Sequence, residues 1–347
     1  MHLKKRFVPR SSLLAVCASL LGAPALASDG QAVPPWVCRD SQGTLGSIEE
    51  LALPTGSGPL GIALGPDLAL WYTLAGSNKI GRATRDGVVT EFSLPTPAAG
   101  VQQIAVSFDG HLWFTELAAN KVGRIAPDGT VTEFPLPQRG SSPAGITAGL
   151  DGNVWFTELV GNRIGRITPD GVITEFPLPT PGAQPRAITQ GFDGHLWFVE
   201  QAANKVGSIS PDGVIREFDL PVAKGGPSAI VAGLDGNVWF TEQAGNRISR
   251  ITSDGVVTQF PLPAEGSQPN ALAVGPDGQL WFTQLAGNRI GRITSAGIIT
   301  EYALPTAGSR PSGIVVAPPG RWCVDAHLWF TARGTHKLGK IRALAVP

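Results

Sequence analysis

The sequence predicts an all-β protein: a seven-bladed β-propeller of four-stranded antiparallel blades, closed by an N-terminal strand that pairs into blade seven. Three observations predict it. Tryptophan recurs at Trp71, Trp113, Trp155, Trp197, Trp239, Trp281 and Trp329, with five intervals of 42 residues and one of 48. Most repeats carry two Asp-Gly turns, as at Asp151-Gly152 and Asp170-Gly171. Gly (44) and Pro (30) are abundant in the 347 residues, which favours short strands between tight turns over long helices. A repeat of about 40–45 residues that holds four strands is the period of a propeller blade. A β-helix has shorter coils and lacks two such turns per repeat.

The elements follow in chain order. Residues 1–27 have the form of a secretory signal, with Lys4, Lys5, Arg6 and Arg10 ahead of an apolar run and Ala25-Leu26-Ala27 as a cleavage site. Pro24 and the shortness of the run argue against a membrane span, and no later stretch approaches that length. Residues 28–46 form a lead-in with Cys38, and 47–347 the propeller. Blade three shows the unit: strand A over Ile146–Gly149, B over Val154–Thr157, C over Arg163–Ile167 and D over Val172–Phe176. Gly and Asp supply the positive φ that the A–B and C–D hairpins need. The last repeat has A, B and C but too little chain for D. Ser47–Pro54 aligns with the D strand of blade one and is expected to fill the gap, which leaves no inner edge open.

Removal of residues 1–27 takes away four basic residues and leaves 23 Lys+Arg against 27 Asp+Glu. With no basic run, nucleic acid is excluded as a partner. The chain is expected to be secreted or periplasmic and monomeric. Two cysteines remain in the exported chain. Cys38 precedes the closing strand and Cys323 lies in the six-residue insertion of blade seven, at the same end of the blade, so a Cys38–Cys323 disulfide is expected to lock the ring. Trp36 and Trp322 are expected to cover that junction.

The repeat LWFTE…NKVGRIAPDGTVTEFPLP resembles that of the virginiamycin B lyase (streptogramin lyase) family, over residues 48–342. The resemblance implies a seven-bladed lyase that opens the lactone of streptogramin B antibiotics by elimination, with help from Mg²⁺. Carried over position by position, the family's functional residues are replaced here. Its tyrosine is Leu60 and a histidine is Asn270. A Glu-Pro-His start becomes Arg310-Pro311-Ser312, and a last glutamate becomes Arg333. Elimination needs a base, and two arginines would repel Mg²⁺. The residues therefore favour a module that binds a small anionic ligand, a glycan or an envelope protein, with no catalytic or metal-ligating residue assigned. The alternative is a divergent carbon–oxygen lyase acting on a cyclic ester, and only that reading calls for Mg²⁺.

The D–A and B–C connections should share the face around the channel mouth. That face offers Gln103, Arg186, Asn270, Arg310, Arg333 and His336 as ligand-binding candidates, beside Gln102, Ser228 and Ser312. Arginines beside amides suit a carboxylate or an anionic sugar. Glu116, Glu158, Glu200 and Glu242 recur at the end of strand B, where a carboxylate is expected to satisfy backbone N–H groups of the turn that follows. His111, His195 and His327 fall on A–B turns of the opposite face, spread over three blades, so they do not form a metal site.

Overall fold

A computed structural model describes residues 44–84, 87–317 and 327–343. The chain opens with β1 (Ile48–Ala52). Blade one follows as β2 (Pro59–Leu64), β3 (Leu70–Leu74), β4 (Lys79–Ala83) and β5 (Val89–Ser93). Blade two is β6 (Val101–Val106), β7 (Leu112–Glu116), β8 (Lys121–Ile125) and β9 (Val131–Pro135). Blade three is β10 (Pro143–Ala148), β11 (Val154–Glu158), β12 (Arg163–Ile167) and β13 (Ile173–Pro177). Blade four is β14 (Pro185–Gln190), β15 (Leu196–Glu200), β16 (Lys205–Ile209) and β17 (Ile215–Asp219). Blade five is β18 (Pro227–Ala232), β19 (Val238–Glu242), β20 (Arg247–Ile251) and β21 (Val257–Pro261). Blade six is β22 (Pro269–Val274), β23 (Leu280–Gln284), β24 (Arg289–Ile293) and β25 (Ile299–Ala303). Blade seven contributes β26 (Pro311–Ala317), β27 (His327–Ala332) and β28 (Lys337–Arg342), and β1 completes it.

Closure follows the expected route. β1 pairs antiparallel with β28 from Ile48↔Ile341 to Ala52↔Lys337. Lys337 Nζ meets Glu50 Oε2 at 2.6 Å, and Thr306 of the preceding connection joins the pair. Cys38 and Cys323 lie outside the described residues, as do Trp36 and Trp322. The disulfide is withdrawn from the account of closure, because the β1–β28 ladder and its ion pair join the two ends without it.

Blades one to six bury their second strand completely. The tryptophan there stacks on an aromatic of the outermost strand, as Trp155 does on Phe176 with centroids 5.5 Å apart. Such a pair contributes about 0.5–1.5 kcal/mol beyond its burial. Arg166 lies over both rings and donates from Nη1 to the Pro211 carbonyl of the next blade at 3.0 Å. Trp155 also packs with Phe198, Ile188 and Ile209 of blade four, so the core is a set of inter-blade layers.

The innermost strands begin earlier than the alternation of the sequence suggests. β10 starts at Pro143, where Ile146 marks the first residue of regular pairing. Pro143 pairs with Glu158 and Ile146 with Phe156, so a bulge spans the residues between. It turns Ala144 towards the axis. At Gly145 a Cβ would stand 2.4 Å from the Arg186 carbonyl of the next blade, so a side chain there would force the inner strands apart.

Candidate functional site

Seven bulges deliver seven side chains to the top of the channel: Leu60, Gln102, Ala144, Arg186, Ser228, Asn270 and Ser312. Above them, B–C turn residues add Leu117, Leu159, Gln243, Leu285 and Arg333 to the rim of a cavity of about 470 Å³. Below, Ile62, Ile146, Ile188, Ile230, Leu272 and Ile314 make an apolar floor. The result is a polar mouth over an apolar base, the usual make-up of a small-molecule site.

Four of the six candidates meet there: Gln103, Arg186, Asn270 and Arg333 line the cavity. Arg186 donates from Nη1 to Gln201 Oε1 at 2.9 Å. The channel wall desolvates its guanidinium and lowers its pKa. Its hydrogen-bond partner is a neutral amide, which leaves the charge available. Asn270 donates from Nδ2 to the Ser312 carbonyl at 3.1 Å, which ties blade six to blade seven at the mouth.

The other two candidates stand elsewhere. Arg310 is exposed at a positive φ of 49° and is not part of the cavity wall. His336 takes the place held by an asparagine in the other six blades. Asn162 shows the role: at φ 56° its Nδ2 donates to the Thr180 carbonyl at 2.9 Å, and its Oδ1 accepts from Ala183 N–H at 2.7 Å. That side chain pins the connection between blades. His336, at φ 54°, accepts from Gly58 N–H through Nδ1 at 3.3 Å. Sequence reasoning missed the apolar rim (Leu117, Leu159, Leu285) and two amides, Gln243 and Gln268. Their signal was positional, since Leu117, Leu159 and Gln243 each follow the recurrent glutamate.

Those glutamates do not satisfy turn N–H groups. Glu116, Glu158 and Glu200 are fully buried, and no hydrogen-bond donor reaches either oxygen of any of them. Two of the three histidines are turn residues, whereas His327 is the first residue of β27, paired with Ala317 and Arg342. His111 and His195 sit 3.3 and 3.6 Å from Asp109 and Asp193.

A profile of the virginiamycin B lyase family matches residues 41–231 and 211–345. The chain belongs to the virginiamycin B lyase family. A virginiamycin B lyase from Staphylococcus aureus is 42 % identical over 86 % of this chain and 99 % of its own, with a TM-score of 0.81. A catalytically inactive histidine-to-alanine variant of that species' enzyme, solved with quinupristin, is 41 % identical over the same shares, with a TM-score of 0.81. A streptogramin B lyase structure is 41 % identical over 85 % of this chain and 96 % of its own, with a TM-score of 0.79. No curated protein matches.

This kinship overturns the reading of the chain as a passive binding module, because identity of this order over nearly the whole propeller is shared with lyases. The family's Mg²⁺ does not fit the mouth of this virginiamycin B lyase homologue. Among the described residues, the side chains lining it are amides, hydroxyls, guanidiniums and hydrocarbons, with no carboxylate or imidazole. Among the described residues no group of three or more His, Cys, Asp or Glu converges. Mg²⁺ takes carboxylate and water oxygens, and two guanidiniums at the mouth oppose it. Among the described residues there is also no helix long and apolar enough to cross a membrane.

Proposed function

We propose that this chain is a carbon–oxygen lyase that opens a cyclic ester held at the channel mouth. Family membership along nearly the whole propeller carries this reading. In the elimination a proton leaves the carbon next to the one bearing the ester oxygen. Its electron pair becomes the C=C bond, and the C–O pair departs on a carboxylate. Arg186 and Arg333, which both line the cavity, receive that carboxylate in this reading. Guanidiniums bind carboxylates with two parallel N–H donors, and stabilisation of charge that develops in the transition state is often the largest catalytic contribution. Gln103 and Asn270 orient the ring through its amide or carbonyl groups, and the aliphatic floor takes its hydrocarbon face. Among the described residues no carboxylate or imidazole lines the mouth, so the proton passes to water there. The N-terminal segment, outside the described residues, would export the chain, which meets its substrate beyond the cytoplasm as a monomer.

The test is incubation of the purified mature protein with quinupristin and with simpler macrocyclic esters, read by chromatography and mass analysis. Elimination gives an open chain of unchanged mass with a new double bond. That product, formed with turnover and without added Mg²⁺, is expected from at least one ester. Intact rings throughout, or products heavier by one water, would overturn the proposal.

A further inference from the structure

Seven blades are seven copies of one environment, so variation at one position reports on chemistry. The last residue of the second strand faces a residue 17 positions later on the outermost strand. In blade five Gln259 donates from Nε2 to Glu242 Oε1 at 2.8 Å. In blade six the roles reverse, and Gln284 donates from Nε2 to Glu301 Oε1 at 2.7 Å. The site therefore takes one donor and one acceptor and accepts either order. An amide and a carboxylic acid have nearly the same shape, and each can donate. Blades two, three and four put a carboxyl group on both sides: Glu116 with Glu133, Glu158 with Glu175, and Glu200 with Glu217. Two carboxylates cannot hydrogen-bond to each other, whereas an acid and a carboxylate can.

The surrounding charges cannot replace the missing donor. Lys121 faces the first pair, Arg163 and the Ser141 hydroxyl the second, and Lys205 with Asp219 the third. The cation sits on the outer carboxylate in each case, Lys121 at 2.7 Å from Glu133, Lys205 at 3.2 Å from Glu217 and Arg163 at 4.0 Å from Glu175. The Ser141 hydroxyl is already spent on the Gln138 carbonyl at 3.2 Å. Each inner glutamate is 0 % exposed and without a donor.

We propose that blades two, three and four each hold a buried proton-binding site, in which Glu116 and Glu200 at neutral pH, and Glu158 just below it, are carboxylic acids that donate to Glu133, Glu217 and Glu175. Burial is the main cause, reinforced by the facing carboxylate and opposed at Glu158 by the nearby Ser141 hydroxyl. It pushes Glu116 up to about 8, Glu158 to about 7 and Glu200 to about 8. For Glu133, burial is outweighed by hydrogen bonds from Lys121 and Thr96, so its pKa is lowered. Glu217 is lowered in the same way by Thr180 and Lys205. In blades two and four the two members of the pair are driven apart, which fixes where the proton sits. Leu117 and Leu159 follow two of the acids directly and line the mouth, so loss of the protons sets like charges behind the rim.

The linkage has a definite sign. The folded pKa values lie above the ordinary 4.5, so the stabilisation is fully present below 4.5 and is lost as pH rises to between about 7 and about 8. Within that window each shared proton lowers the folding equilibrium constant about tenfold per pH unit.

The experiment is urea unfolding of the full mature chain between about pH 5 and pH 9, beside the triple variant E116Q/E158Q/E200Q. The native chain should lose stability across the window, and the triple variant should stay flat and be the more stable of the two at the alkaline end. An infrared carbonyl band of protonated carboxyl, present in the native protein at neutral pH, should vanish in the variant. Gln259 and Gln284 show that the fold accepts the amide. Should the variant still fail to fold, proton uptake on refolding of the native chain near pH 6 decides, with uptake approaching one proton per pair expected. A native stability that does not change across the window, or refolding without proton uptake, would overturn the proposal.

Discussion

The second strand and the channel mouth answer to different constraints. At the tryptophan position all seven blades carry the same residue, and six of the seven are 0–2 % exposed. At the mouth position the same seven blades carry Leu60, Gln102, Ala144, Arg186, Ser228, Asn270 and Ser312. Packing sees the symmetry, because six of the seven tryptophans meet equivalent neighbours. A ligand on the axis does not, because it presents different atoms in each direction. Repetition thus marks structure in this molecule, and departure from repetition marks the site.

The largest test of this contrast is Trp155→Ala. Loss of a buried tryptophan that stacks on Phe176 and fills the layer against blade four should cost about 3–5 kcal/mol in urea unfolding. Trp329→Ala should cost clearly less. Trp329 is only half-buried, and the strand that completes its blade is IEELA, with Leu51 and no aromatic. Equal losses at the two positions would break the claim that stacking and burial, rather than the residue type, hold each blade.

Asn162→Ala comes next, at about 2 kcal/mol. It removes two hydrogen bonds that pin the connection between blades three and four, and it leaves alanine at a φ of 56°. The mouth residues should behave in the opposite way. Arg186→Ala and Arg333→Ala should each lower turnover of a cyclic ester roughly 10–100-fold, equivalent to about 1.4–2.7 kcal/mol of transition-state stabilisation. Both should move the unfolding free energy by no more than about 0.5 kcal/mol, as exposed substitutions do. A large stability loss at Arg186 would place it with the scaffold.

The scaffold was legible in the sequence because it repeats. Strand C of blade three was predicted at Arg163–Ile167 and is found there, and the closing strand was recognised from its likeness to Gly87–Pro95. The start of strand A was set three residues late, because bulged residues break the two-residue alternation that marks a strand. The recurrent glutamates were visible, but their partners lie 17 residues on and two strands away, a juxtaposition that only the register creates. His336 looked like a site residue because it departs from the repeat. It departs within a structural position, where histidine still supplies an acceptor for Gly58 N–H. Divergence from the repeat is therefore a signal for the site only at positions that face the axis.

Blade four offers the smallest and most discriminating change, Val199→Thr. In the other six blades a buried threonine stitches the ring at this position. Thr157, for instance, accepts from Gly145 N–H at 2.9 Å and donates to the Arg186 carbonyl of the next blade at 2.8 Å. Thr331 closes the ring in the same way, onto the Leu60 carbonyl at 2.6 Å. Val199 is fully buried and cannot make either bond, so the seam between blades four and five lacks its stitch. A threonine there would accept from Ala187 N–H and donate to the Ser228 carbonyl. It would exchange a methyl packed beside Val206 for two buried hydrogen bonds, each worth about 0.5–1.5 kcal/mol net. The expected balance is a gain of about 1 kcal/mol, seen as a higher urea midpoint at unchanged slope. A lower midpoint would mean that this seam is spaced for valine. Blade four, which carries Arg186, would then be set apart from the sevenfold scaffold by its packing as well as by its mouth residue.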